Sequence, residues 1–206
     1  MQLSQPLAVV TPTLDGPVLT ALALADRAFT TGQLGRVLGR GSAEGIRKVL
    51  HRLTEQGVVA AERVGPAVSY RLNHHHLAAQ HIIGLANLRS TFLSRIEQKL
   101  AGWEQRPVYA AVFGSAGRGE MRPDSDIDLL LVRANDTDET IWEQQVGDLV
   151  ESVVGWTGND VRPLEYTVAE LGPSRGEPVL REVLRTGLTI AGDRSWLGRR
   201  LRPGTV

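Results

Sequence analysis

Two aspartates separated by one residue, Asp126 and Asp128, stand at the start of the apolar run IDLLLV. Side chains two residues apart on a β-strand face the same way, so a strand here would project both carboxylates together. Two carboxylates this close repel each other unless one is protonated or a cation lies between them. Because Mg²⁺ prefers hard oxygen ligands and leaves room for phosphate oxygens, the pair predicts a magnesium site.

A glycine-rich segment just before the aspartates carries groups that suit phosphate. The apolar run YAAVF, predicted to be a strand, stops at Gly114-Ser115, where the glycine allows a sharp turn and the serine can donate its hydroxyl and N–H. Arg118 follows three residues later and could reach phosphate oxygens. These residues predict a phosphate cradle beside the metal pair, the equipment of phosphoryl or nucleotidyl transfer.

A plain polar turn is the alternative interpretation of this stretch. Asp124, Ser125 and Asp126 would then only cap the chain and form local hydrogen bonds. That interpretation does not explain Asp128, because a charge inside an apolar strand is costly without a partner.

The motif Gly-Ser-x-x-Arg-Gly at 114–119, followed by Ser-Asp-Ile-Asp-Leu at 125–129, resembles the polymerase-beta-like nucleotidyltransferase superfamily. It is most similar to the minimal branch, which includes antibiotic nucleotidyltransferases and the antitoxin halves of some toxin–antitoxin pairs. The resemblance covers roughly residues 107–193. It implies a mixed sheet backed by helices, two Mg²⁺ ions, and an NTP, expected to be ATP, whose α-phosphate is attacked by an acceptor hydroxyl.

The resemblance also implies a third carboxylate on a later strand, at about the position of Arg162 in the segment TGNDVRPLEYT. Asp160 lies two residues before Arg162 and would share its face, whereas Glu165 would lie on the opposite one. Pro163 weakens this parity, because proline interrupts strand pairing. Either Asp160 or a shifted Glu165 completes the catalytic site, or the third acid is absent, which would allow nucleotide binding but lower or abolish turnover.

Three helical patterns and a hairpin precede this region, between Pro17 and Leu72. The second pattern starts with a capping box at Thr30 and Gln33, and the third starts at Ser42 and buries every third or fourth residue. The order resembles a winged helix-turn-helix domain, in which the third helix reads the major groove and the wing touches the DNA backbone. The predicted DNA-binding residues are Arg47, Lys48, His51, Arg52, Arg63 and Arg71.

Charge supports DNA as a partner of this segment. The whole chain has 23 basic and 23 acidic residues, but residues 17–72 contain eight basic and four acidic ones. Phosphate attraction would follow from that local excess. The alternative is that the segment binds protein, as some winged helices do.

The pattern predicts a mixed α/β (α+β) fold in three parts. Residues 1–73 form the winged helix-turn-helix domain, residues 74–106 a linker helix, and residues 107–206 a nucleotidyltransferase domain with a mixed sheet backed by helices. Apolar residues recur at helical spacing from residue 75 to residue 104, which predicts one long helix. Its Leu88/Phe92/Leu93 face could form a homodimer.

Composition excludes several classes of protein. The absence of cysteine removes disulfides, thiolate metal sites and a cysteine nucleophile, and it fits the cytosol. No signal-peptide pattern and no apolar run near the ~20 residues of a bilayer span is found, so we expect a cytoplasmic protein without a membrane partner.

The predicted function is that of a DNA-binding protein whose Mg²⁺-dependent domain transfers NMP from an NTP to a hydroxyl. A nucleotide-sensing transcriptional regulator with weak or no turnover is one alternative. An antitoxin-like protein is the other; its partner would be a toxin or another protein acceptor.

Overall fold

The computed structural model describes residues 1–202, and the chain divides into two compact units. The N-terminal unit comprises Gln2 and Ser4–Arg89, and the C-terminal unit comprises Met1, Leu3 and the chain from Ser90 onward. No helix within residues 1–202 is both long enough and apolar enough to cross a membrane.

The N-terminal unit consists of helices and a small antiparallel sheet with the strand order β1-β3-β2. After a short 3-10 helix, Pro6–Val9, its elements are α1 (Asp15–Ala23), β1 (Phe29–Thr30), α2 (Thr31–Leu38), α3 (Ala43–Glu55), β2 (Val59–Val64), β3 (Ala67–Leu72) and α4 (Ala79–Ala86). The predicted hairpin is confirmed as β2 and β3. Strand β1 was not predicted, because two residues are too short to show a period.

Both predicted helix starts are confirmed by their capping bonds. Thr30 Oγ1 accepts from the backbone N–H of Gln33, and Gln33 Oε1 accepts from the N–H of Thr30 at 2.7 Å. The Ser42 hydroxyl accepts from the N–H of Gly45 and starts α3. The apolar stripe of α3 is buried as expected, at Ile46, Val49, Leu50 and Leu53.

The single long helix predicted for residues 75–104 is wrong in detail, because the structure has two helices. Helix α4 ends at Ala86, and α5 spans Leu88–Ala101. Asn87 separates them: its backbone N–H and its side-chain amide both donate to the carbonyl oxygen of Ile83. A side-chain amide that competes for a helical carbonyl in this way favours a helix end. Phe92 is buried in the core of the C-terminal unit, so the predicted dimer face is occupied there by that unit's own residues.

The C-terminal unit is built around a four-stranded mixed sheet with the strand order β6-β5-β4-β7. Strands β5 and β6 are parallel, and the other pairs are antiparallel. After α5 the elements are β4 (Tyr109–Phe113), α6 (Gly114–Arg118), β5 (Ile127–Arg133), α7 (Glu139–Thr157), β6 (Val161–Thr167), a 3-10 helix (Pro173–Gly176), α8 (Pro178–Thr186), β7 (Leu188–Ala191) and α9 (Arg194–Arg200). The predicted mixed sheet and the α+β class are confirmed.

The two central strands alternate their side chains between two apolar layers. One face, which includes Val112, Leu129 and Leu131, packs against residues of α5 and α7 such as Ile96 and Trp142. The other face, which includes Ala111, Leu130 and Val132, packs against residues of α8 and α9 such as Leu180 and Leu197. The sheet therefore lies between two helical layers, and Asp128, two residues before Leu130, projects on the α8 side.

Candidate functional site

The site forms where β4 ends and β5 begins. Phe113, the last residue of β4, pairs with Asp128 of β5, so the next residue, Gly114, lies against the Asp128 side chain. Gly114 has a φ of +63°, and a Cβ built on it would lie 2.0 Å from Asp128 Oδ2. Only glycine suits this position, because it tolerates the left-handed backbone and leaves room for the carboxylate.

Asp126 and Asp128 flank Ile127, which is fully buried in the sheet core. Both aspartates are partly buried at the edge of that core. Burial raises the pKa of Asp128, and the nearby charges of Asp126 and Glu182 raise it further, while Arg162 and Arg118 act in the opposite direction. The predicted repulsion between the two carboxylates is thus present.

A cation of the protein itself sits beside this pair. Arg162 of β6 lies next to Asp128 in the parallel register, and its Nη2 is 2.7 Å from Asp126 Oδ2. The Arg162 side chain is 72% exposed. At the position where the motif resemblance implies a third acid, the protein therefore carries a guanidinium that partly neutralises the aspartates.

The two candidates for the third acid occupy different places. Asp160 immediately precedes β6, and its carbonyl oxygen accepts from the N–H of Ile127, so its backbone is level with Asp126. The Asp160 side chain is exposed and makes no hydrogen bond or ion pair within residues 1–202. Glu165 is three residues beyond Arg162, and its Oε2 accepts from the indole N–H of Trp142 at 2.5 Å. The structure does not bring Glu165 to the aspartate pair.

Three carboxylates do not converge on one point in the described part of the chain. No group of three or more His, Cys, Asp or Glu side chains within residues 1–202 is arranged to hold a metal ion. The donors at this site are therefore the two carboxylates of Asp126 and Asp128.

The predicted phosphate-binding residues are only partly free. Ser115 lies in the first turn of α6, next to Gly114, and is half-buried. Arg118 ends that helix; its Nε donates to Glu120 at 2.9 Å and its Nη1 pairs with Glu182. The hydrogen bond to Glu120 is the main cause of the raised pKa of Arg118. To bind phosphate, Arg118 would have to leave these glutamates.

Two further residues shape the site and were missed in the sequence. Glu182 of α8 adds a negative charge near Asp128 and holds Arg118. Asn159 is almost fully buried, and its side-chain amide donates to the carbonyl oxygens of Pro123 and Ser125, which fixes the loop before Asp126. The pattern Gly158-Asn159 after a helix could have marked a capping turn, but not its distant partners.

The predicted DNA-binding residues differ in how freely they could reach a phosphate. Arg47 pairs with Glu44, His51 Nδ1 lies 3.2 Å from Glu55, and Arg52 pairs with Asp15 of α1. The other three side chains are exposed and make no hydrogen bond or ion pair in the part of the chain that the structure describes. These are Lys48, Arg63 and Arg71.

The two hairpin arginines project from opposite faces. In the β2–β3 register, Arg63 pairs with Val68 and Arg71 pairs with Ala60. Paired residues share a face and successive residues alternate, which places Arg63 and Arg71 on different sides of the hairpin.

Comparison with known protein families bears directly on the aspartate site. Residues 93–173 match the family model described as "Nucleotidyltransferase domain". The matched segment is less than half of the chain. It contains β4, the Gly114 turn, both aspartates and Arg162. No curated protein matches the sequence.

Several solved structures share a limited likeness with the chain. A toxin–antitoxin complex with AMP-PNP matches at 20% identity over 53% of this chain and 80% of that chain, with a TM-score of 0.39. A tri-AMPylated Shewanella oneidensis HEPN toxin in complex with MNT antitoxin matches at 17% identity over 54% and 79%, with a TM-score of 0.36. TrmBL2, an archaeal chromatin protein, matches at 14% identity over 89% and 77%, with a TM-score of 0.31.

The side chains of Asp126 and Asp128 fit a magnesium ion. Mg²⁺ in phosphate-transfer sites is usually bound through one or two carboxylates plus substrate phosphates and water, and Asp126 and Asp128 offer that donor set. The raised pKa of Asp128 agrees, because a cation would offset both its burial and the neighbouring negative charges.

Proposed function

We propose that this protein binds DNA through its N-terminal unit and transfers NMP from an NTP to a hydroxyl through its nucleotidyltransferase domain, with Mg²⁺. One observation carries the catalytic part. Asp126 and Asp128 stand two residues apart at the start of β5, inside the segment that matches the family model, and Gly114 leaves space for the Asp128 carboxylate.

Each residue of the site has a role in this proposal. Asp126 and Asp128 would hold Mg²⁺, which when bound supplies charge neutralisation for the transferred phosphate. Gly114 and Ser115 would receive the triphosphate, and Arg118 would exchange its glutamate partners for phosphate oxygens. Asp160 is the better placed candidate for the third acid, because its backbone is level with Asp126 and its side chain is exposed.

A nucleotide sensor without turnover is the second candidate function. The ion pair between Arg162 and Asp126 favours it, because a guanidinium stands where the motif resemblance implies a metal-binding or basic carboxylate. Such a cation would still permit one Mg²⁺ and a nucleotide to bind. It would oppose a second metal ion through like-charge repulsion. Binding to a toxin or another protein acceptor rests on the motif resemblance alone.

Labelled nucleotide separates these two functions. The full chain is titrated with ATP and Mg²⁺ by calorimetry and incubated with α-labelled ATP and candidate hydroxyl acceptors. We expect Asp126→Asn and Asp128→Asn each to weaken Mg²⁺-dependent binding at least about tenfold, since even residues that only support metal ligands cost this much. Asp124→Asn is the matched control, because Asp124 is exposed and lies in the same loop.

The outcomes are distinct. Incorporation that depends on Asp126 and Asp128 supports the enzyme. Mg²⁺-dependent binding without incorporation supports the sensor. If the parent protein binds no nucleotide with Mg²⁺, both candidate functions are wrong.

The DNA-binding part is supported by the order of elements and by charge. Helices α1, α2 and α3 with the β2–β3 hairpin follow the order expected of a winged helix-turn-helix, and β1 pairs with β3 of the hairpin. Lys48 on α3 and Arg63 and Arg71 on the hairpin offer exposed cations to a phosphate backbone.

A further inference from the structure

The N-terminal unit contains a cavity of about 660 Å³ that the proposed function does not use. This volume falls in the range of small-molecule sites, roughly 300–1,000 Å³. Half of its lining residues are aliphatic, and several of these belong to the 3-10 helix, to α1 and to the end of α2. The aliphatic lining residues include Leu7, Ala8, Pro17, Ala21, Leu24 and Leu38.

Exposed apolar side chains form part of this lining. Leu24 is 56% exposed and Val37 is 57% exposed, although both line the cavity. A ligand that covers large aliphatic side chains removes them from water, and this burial favours its binding. The cavity is thus open to solvent and apolar at its opening.

Two arginines, Arg27 and Arg40, also line the cavity. Arg27 lies over the ring of Phe29, with its Cζ 4.5 Å from the ring centroid. Arg40 donates from Nη2 to Gln5 Oε1 at 3.0 Å. Neither arginine forms an ion pair with a carboxylate within residues 1–202, and both are exposed. An apolar cavity with two unneutralised cations is complementary to a molecule with an apolar body and one anionic group.

We propose that this cavity binds a small apolar monocarboxylate. Its hydrocarbon body lies against the aliphatic lining, and its carboxylate accepts hydrogen bonds from Arg27 or Arg40. Carboxylate geometry matches the planar fork of arginine, so charge complementarity selects this occupant over an uncharged one.

The cavity lining is connected to α3 by polar contacts. Thr13 lines the cavity, and its hydroxyl donates to Asp15 Oδ2 at 2.7 Å. The other oxygen of Asp15 pairs with Arg52 of α3. Leu14, between Thr13 and Asp15 in the chain, packs closely against Gly41. A Cβ built on Gly41 would lie 2.9 Å from Leu14 Cδ1. A ligand that contacts Thr13 therefore acts on the segment that holds the start and one side of α3.

Calorimetry with a matched pair of probes tests the binding site on the full chain. Decanoate, used below its micelle concentration, is expected to bind with a stoichiometry of one. Arg27→Gln or Arg40→Gln should weaken decanoate binding about tenfold, as expected for the loss of one charge-assisted hydrogen bond. Decanol, which lacks the charge, should be insensitive to both changes. Arg36→Gln is the control, because Arg36 is an exposed arginine of α2 that does not line the cavity.

Filling the cavity gives an independent check. Ala21→Trp, or the milder Ala21→Leu if the first variant unfolds, should abolish or weaken binding of both probes. The proposal is overturned if the parent does not bind decanoate, or if binding is unchanged in both arginine variants. It is also overturned if sedimentation shows a dimer that Ala21→Leu dissociates and that decanoate leaves intact. The occupant of the cavity would then be a second copy of the chain.

The connection to α3 has its own readout, which rests on the proposed DNA binding. Duplex affinity measured with and without decanoate should differ, and Thr13→Val should reduce that difference. If the chain binds decanoate but no duplex, the proposed DNA function fails and the cavity assignment stands. If duplex affinity is the same with and without decanoate, the connection is wrong.

Discussion

At Gly114 the absence of a side chain decides whether the aspartate site can exist. The Asp128 carboxylate fills the space that a Cβ would take, and the backbone there is left-handed. Both constraints act on one residue, so a glycine is required at this position by the Asp128 carboxylate as well as by the turn.

Gly114→Ala should therefore be far more damaging than alanine at the neighbouring left-handed glycine. Gly119 also has a positive φ, +76°, but apart from its chain neighbours no atom of residues 1–202 lies within 4 Å of a Cβ built there. Gly119→Ala should cost only the backbone strain, about 1–2 kcal/mol in the free energy of unfolding. Gly114→Ala should cost more and also weaken Mg²⁺-dependent ATP binding. Equal effects of the two variants on denaturant unfolding and on ATP affinity would contradict this.

The raised pKa of Asp128 predicts a pH dependence of stability. The folded protein holds this proton more tightly than the unfolded chain, so the contribution is full below the ordinary carboxyl value of 3.8 and is lost as pH rises through the raised pKa. Without metal, Asp128→Asn should therefore melt higher than the parent at pH 7, and the gain should shrink toward pH 4. Asp124→Asn should show no such gain. A lower melting temperature for Asp128→Asn at pH 7 would refute the expectation.

Local sequence spacing predicted that the two aspartates share a face, because side chains on a strand alternate every two residues. The glycine turn was predicted from the Gly-Ser that follows an apolar strand. Local spacing could not predict the contact between Arg162 and Asp126, which depends on the parallel register of β5 and β6. It also could not predict that Glu182 lies near Asp128, because α8 reaches the site only through the packing of the whole unit.

Glu165 links strand β6 to helix α7. Its carboxylate accepts the indole N–H of Trp142, which is 1% exposed. The motif resemblance offered Glu165 as an acid of the site, but pairing with a buried indole gives it a different use. The helix break at Asn87 was also missed in the sequence. A side-chain amide can end a helix without disturbing the apolar periodicity on either side of it, and that periodicity was the basis of the prediction.

Glu165→Ala is expected to act on stability rather than on the nucleotide. It leaves the Trp142 indole N–H buried without an acceptor, which should lower the free energy of unfolding by about 1–3 kcal/mol. ATP affinity in the presence of Mg²⁺ should stay within about twofold of the parent. Glu143→Ala is the control, because Glu143 is exposed on the same helix. Loss of nucleotide binding in Glu165→Ala, with normal stability, would return Glu165 to the site.

Charge is unevenly divided along the chain. The chain as a whole has equal numbers of basic and acidic residues, while residues 17–72 have twice as many basic as acidic ones. Composition alone therefore hides a surface suited to an anionic polymer, and only the division of the chain into segments reveals it.

Duplex binding should depend on the free cations more than on the paired ones. Lys48→Ala should weaken binding and reduce the salt slope by about one for each lost phosphate contact. Arg63 and Arg71 lie on opposite faces of the hairpin, so the alanine variant of the arginine on the DNA-facing side should have the larger effect of the two. Arg52→Ala should have a smaller effect, because Arg52 already pairs with Asp15. Arg106→Ala, an exposed arginine outside the N-terminal unit, is the control. Salt-independent binding, or losses at Lys48, Arg63 and Arg71 no larger than at Arg106, would contradict the proposed interface.

The contact between Arg162 and Asp126 also changes what chelation can do to this protein. In sites that depend wholly on a metal, a chelator leaves bare carboxylates that repel each other and loosen the fold. Here the protein keeps a built-in counterion within hydrogen-bond distance of one carboxylate. EDTA should therefore remove nucleotide binding and lower the melting temperature only by the stabilisation that bound Mg²⁺ itself supplied. Arg162→Ala should make the same treatment more destabilising.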